Sequence, residues 1–167
     1  MNETTRRLLF LLLFALVFFQ TGAHISQAFV NDPAWIFISM DSFPEYHRVV
    51  AEGAFRFLLL PRVIELVLAI AVLCFRPAMS KRWVLVLAIA LALCAFLVTA
   101  FIQRPISAQL ETIGNTPELL SRLRATGWLS LTPELLRDAL YLWMMLLMVR
   151  PQAQVGAART EPYGDAA

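Results

Sequence analysis

The sequence predicts an all-α integral membrane protein, a single four-helix antiparallel bundle. Three observations carry that expectation. Apolar residues make up 59% of the 167-residue chain and charged residues 16%, against roughly 45–50% and about 25% in soluble domains; mean hydropathy is +0.67. Four apolar runs, residues 8–30, 54–75, 84–102 and 128–149, approach the ~20 residues a helix needs to cross a hydrocarbon core about 30 Å thick. The runs are continuous rather than alternating, which argues against a β-barrel, and their short connections favour antiparallel neighbours.

A net charge of +2, scattered along the chain, gives no footing to a nucleic-acid partner. Cys74 and Cys94 lie inside expected spans without a CxxC spacing, so they read as small hydrophobic residues.

The first run follows MNETTRR. Its charged start, apolar core and Thr21-Gly22-Ala23 could end a cleavable signal, but apolar character resumes at Ile25 and reaches Val30. The expectation is a retained transmembrane helix. Gln20, His24 and Gln27, spaced i, i+4, i+7, share one face in its second half. Asn31-Asp32-Pro33 reads as a helix stop and turn. Pro44 and Glu45 suit the first turn of helix two, which runs on to Phe75. On it Glu45, Arg48, Glu52 and Arg56 form an outer charged face, with His47 on the opposite side, the side of Glu65. Pro61 frees the carbonyl of Phe57 and predicts a kink beside Arg62.

The tight turn RPAMSKRW, residues 76–83, is the densest short basic loop. The positive-inside rule places it, with both termini, in the cytoplasm, and the expected location is a bacterial plasma (inner) membrane. Helix three is apolar until Thr99 and Gln103 and meets Arg104-Pro105 at its outer end. Thr116-Pro117-Glu118 predicts an N-cap and a short surface helix over about 117–126 ended by Gly127. Thr132-Pro133-Glu134 repeats that pattern and begins or kinks helix four, on which Glu134, Arg137, Asp138 and Tyr141 share a face continued by Met145 and Met148. Residues 151–167 read as a disordered cytoplasmic tail.

Placed by depth, the costly side chains gather in the outer half: Gln20, His24 and Gln27 on helix one, Arg56, Arg62 and Glu65 on helix two, Gln103 on helix three, Glu134, Arg137, Asp138 and Tyr141 on helix four. A charge at mid-membrane costs at least ~2.5–3.5 kcal/mol on insertion scales, so such groups usually face a bundle interior and find partners there. The expectation is one outward-opening polar cavity, with an ion-pair network that merely fixes helix register as its rival. Within it His24 and Glu65 are the candidate acid and base, since imidazole is the side-chain type that changes charge near neutrality. Neither HxxxH, ExxH nor CxxC occurs, which leaves no metal site, and no phosphate-binding glycine loop or nucleophile elbow is present.

The order of Gly22-Ala23-His24, FPEYHRVV with the later Pro61-Arg62, Gln103-Arg104-Pro105-Ile106, and Trp128 followed by Arg137 resembles the anthrone-oxygenase-like family of small four-helix membrane proteins, over most of residues 8–149. Where that family carries Asn after the Pro-Ile pair, this chain has Ser107. The resemblance implies oxidation of a lipophilic aromatic, with no cofactor assignable to residues. The sequence therefore points to a pocket in the bilayer for a small lipophilic or amphiphilic ligand. Two other classes stand beside it: a proton-coupled exporter that cycles protons on Glu65 and forms a homo-oligomer, and a non-catalytic subunit whose charges pair with another membrane protein. An enclosed pocket reached by His24 favours the first, and Glu65 exposed at a subunit surface the second.

Overall fold

A computed structural model describes residues 1–78 and 80–149, so the expected tail lies outside the described residues. The chain forms four helical rods: α1 (Glu3–Phe37), α2 (Phe43–Cys74), α3 (Arg82–Ile113) and α4 (Pro117–Val149). The described residues contain no strand. Rods α1, α2 and α3 are long and apolar enough to cross a membrane; in α4, Glu134, Arg137 and Asp138 interrupt the apolar run.

Three helices run further than the sequence predicts. Asn31-Asp32-Pro33 does not stop α1, Arg104-Pro105 does not stop α3, and Gly127 does not end a separate surface helix, because α4 is continuous from Pro117. Thr116 does cap it, its Oγ1 accepting from the Leu119 N–H, whereas Thr132-Pro133 lies within the rod and starts nothing. The physical reason for the first two is a shared device. A π-helical turn occupies Gln27–Asn31, Phe55–Leu59 and Thr99–Gln103, and Pro33, Pro61 and Pro105 each follow two residues later. Proline lacks an N–H and its ring crowds the carbonyl four residues back. In α1 and α3 the residue before each proline reaches back five residues instead of four: Asp32 N–H donates to Gln27 O, and Arg104 N–H to Thr99 O. The widened turn makes room for the ring and the rod continues.

Rods α1 and α3 each pack on both α2 and α4, so α2 and α4 occupy opposite corners of the bundle. Ala88, Ala92 and Ala95 are buried on α3, small side chains that let α4 approach closely. Phe10, Leu13, Val17, Val72, Leu85 and Met144 fill the core at one end. That end also gathers the N terminus and the α2–α3 turn, for Ala78 N–H donates to Glu3 Oε1 at 3.3 Å and Lys81 Nζ stands 5.4 Å from the Trp143 ring. A second apolar cluster, around Trp35, Phe43, Leu110 and Leu120, closes the opposite end.

The second cluster is pinned by Asn115, whose Nδ2 donates to Trp35 O at 2.7 Å and Ile38 O at 2.8 Å. Beside it Gly114 takes φ 92° with the Met40 side chain against it, a backbone setting that favours glycine. Asn115→Ala leaves Ile38 O without a donor among the described residues and Trp35 O with the Ile38 N–H alone, and is expected to cost about 1–3 kcal/mol, read as a lower midpoint of thermal unfolding in detergent. An unchanged midpoint would show that the loop is held by apolar contact alone.

Candidate functional site

Between the two apolar clusters the rods line a half-open cavity of about 390 Å³, a size that accommodates a small organic ligand. All three π-turns contribute to its wall, through Gln27 and Phe29, Leu58 and Leu59, and Thr99 and Gln103. Widened turns of this kind recur at functional sites, and here each of three helices brings one to the same cavity. On α4, Gly127, Trp128 and Leu131 complete the wall. Phe29 and Trp128, both exposed at 53% and 55%, meet edge to face with ring centroids 5.5 Å apart.

The floor of the cavity is ionic. His24 Nδ1 lies 2.9 Å from Glu134 Oε2, and Arg62 Nη2 donates to Glu134 Oε1; His24 and Arg62 both face the cavity. One turn further in, Arg137 Nη1 donates to Glu65 Oε1 at 2.7 Å, Nη2 to Thr21 Oγ1 at 2.9 Å, and Nη2 and Nε to Asp138 Oδ1 at 3.0 and 3.2 Å. The guanidinium thus ties α1, α2 and α4 together, and Arg137, Glu65 and Glu134 are all 0% exposed.

Arg62 and Glu65 stand three apart on α2, as do Glu134 and Arg137 on α4, so two cross-bundle rungs share one sequence separation of 72. Their polarity alternates. That pattern fixes the register of two diagonal helices, because sliding by one turn would bring like charges together.

The expected site residues therefore divide. Structure brings His24, Arg62 and Glu134 into one cluster and Glu65, Arg137 and Asp138 into a second, one helical turn further in. Gln27 and Gln103 reach the cavity wall, but their amides are engaged locally, Gln27 Nε2 with Asp32 Oδ1 at 2.7 Å and Gln103 Nε2 with Ser130 Oγ at 2.9 Å.

Three expectations need correction. Arg56 is exposed on the outer face of α2 and joins neither cavity nor network. Depth alone suggested it; its angular position around the helix sets it apart from the stripe of His47, Leu58 and Arg62. Gln20 is buried away from the cavity, with both amide atoms unpartnered among the described residues. Tyr141 packs edge-on against Phe10 at 6.0 Å, below the network.

Sequence reasoning missed five contributors. Thr21, read as the end of a possible signal, caps the Arg137 fork. Asp32, read as a turn residue, lines the cavity. Arg104 and Arg124 do too. His47, 3% exposed, packs against Trp35 and Phe43 and faces the cavity; its Nδ1 lies 3.7 Å from Glu111 Oε1. The signal for His47 was its place on the Glu65 side of α2. Among the described residues no cluster of three His, Cys, Asp or Glu side chains could hold a metal ion.

Compared with protein-family models, curated proteins and solved structures, the chain matches none of them.

Proposed function

We propose that this chain is an integral protein of the plasma membrane, with all four rods embedded and both termini cytoplasmic, whose outer-half cavity binds a small lipophilic or amphiphilic ligand. The embedding is supported by three helices long and apolar enough to span, and the sidedness by Arg76, Lys81 and Arg82 around the α2–α3 turn. One observation carries the ligand reading: His24 and Arg62 belong both to the buried ion network and to the cavity wall. A network serving register alone has no reason to present an imidazole and a guanidinium to an open chamber.

Within this reading His24, held by Glu134, is the group placed to take or give a proton at the ligand. Oxidation of a lipophilic aromatic, which the family resemblance implies, is one chemistry for that position. An exporter built on Glu65 draws less support, since Glu65 is sealed under Arg137 rather than placed on an outer surface.

The test is mass spectrometry of what copurifies with the protein in mild detergent, comparing wild type with Gly127→Phe. Residue 127 lines the cavity and a Cβ there meets no atom within 4 Å, so a larger side chain can start at this position without an immediate clash. Wild type is expected to retain a stoichiometric small lipophile and Gly127→Phe to lose it while keeping its unfolding midpoint. Equal retention by both would end the pocket reading. Gly127→Ala serves as a control: alanine in mid-helix is expected to add about 0.5–1 kcal/mol of stability with ligand retained.

A further inference from the structure

We infer that the ligand of this cavity carries an anionic head group on its lipophilic body, an inference that rests on the pocket reading above. Three arginines from three different helices line the wall: Arg62 on α2, Arg104 on α3 and Arg124 on α4. On the wall itself three guanidinium groups outnumber one carboxylate, Asp32, while Glu134 stands behind Arg62 and Glu111 beside His47.

Asp32 and Glu134 are also engaged. Glu134 is shared between Arg62 and His24, and Asp32 accepts from Gln27 Nε2. Arg104 and Arg124 form no ion pair among the described residues, and only one guanidinium N–H of Arg62 is taken by Glu134. Donors that remain open on guanidinium groups favour an oxyanion, carboxylate or phosphate, which they bind with charge-assisted hydrogen bonds. The remaining wall is aromatic and aliphatic, from Phe29, Phe96, Trp128 and Leu131, and suits a hydrocarbon or ring body. A cationic amphiphile would meet three guanidinium groups of its own sign at the wall.

The experiment uses the full chain in phosphatidylcholine nanodiscs, titrated with oleate, oleyl phosphate, oleyl alcohol and oleylamine and followed by tryptophan fluorescence. At least one of the two anions is expected to bind at least about tenfold more tightly than the alcohol, a step of ~1.4 kcal/mol, and the amine to bind least. A preference between oleate and oleyl phosphate identifies the head. Arg104→Gln with Arg124→Gln, both on exposed side chains, is expected to weaken the anions about tenfold and leave the alcohol unchanged. Alcohol or amine binding as tightly as both anions would overturn the anionic head and leave the pocket standing. No binding by any probe, with Gly127→Phe indistinguishable from wild type, would overturn both.

Discussion

Arg137→Leu is expected to be the most damaging single substitution in this chain. Among the described residues it removes the only side chain that reaches Glu65, Thr21 and Asp138 together, and it leaves Glu65 fully buried and without a hydrogen-bond donor. Breaking a buried pair from one side costs on the order of 3–5 kcal/mol, a large part of the stability of an ordinary domain. The measurement is thermal or denaturant unfolding in detergent. Arg137→Lys should recover only part of the loss, since an ammonium cannot offer the planar fork that meets three acceptors. The combined Arg137→Leu, Glu65→Leu and Asp138→Leu variant should regain most of it, because replacing buried charges together by apolar groups of similar volume is often neutral. A triple variant no more stable than Arg137→Leu would show that the loss comes from packing, not from stranded charge.

The second large effect is expected at Glu134, and on binding more than on stability. Glu134 holds His24 and Arg62 at the cavity floor. Glu134→Gln keeps the shape but removes the charge, so Arg62 loses its counter-ion and His24 its carboxylate. Hydrogen bonds to charged groups contribute about 1.5–3 kcal/mol; without them neither His24 nor Arg62 is held at the floor, and this loss of positioning is expected to outweigh the added positive charge and lower ligand retention about tenfold. Restoring the pair in reverse, with Arg62→Glu and Glu134→Arg, should not restore binding. It places two acids three apart on α2 and two arginines three apart on α4, and turns the carboxylate facing His24 into a cation. Full recovery by the reversed pair would mean that the rung matters only as a pair, and that the alternation of charge along the two helices has no role.

Much of the architecture was legible because long apolar runs have few alternatives. The helix starts at Pro44 and Thr116 and the shared face of Glu134, Arg137 and Asp138 follow from local rules that the fold respects. What failed were stops. Asn31-Asp32-Pro33, Arg104-Pro105 and Gly127 each look like a terminus when a helix is assumed to keep one repeat, and a π-turn lets the rod absorb proline at the first two. The packing face of α3 was equally hidden. Its run is apolar on every side, so the choice of Ala88, Ala92 and Ala95 as the buried stripe depends on which neighbour arrives. At the site, charge and depth identified Arg62, Glu65, Glu134 and Arg137, but depth without angular phase also admitted Arg56. Thr21 and Asp32 had nearer explanations in a signal and a turn, and for these two and His47 only tertiary placement shows what they touch.

The alternating rungs also bear on how the chain is made. During synthesis α2 emerges long before α4, with Arg62 and Glu65 three residues apart and their eventual partners 72 residues away. Opposite charges at that spacing can hold one another on the surface of their own helix, so each acid has a counter-charge on its own helix before the rungs form, and docking of α4 exchanges one partner for another.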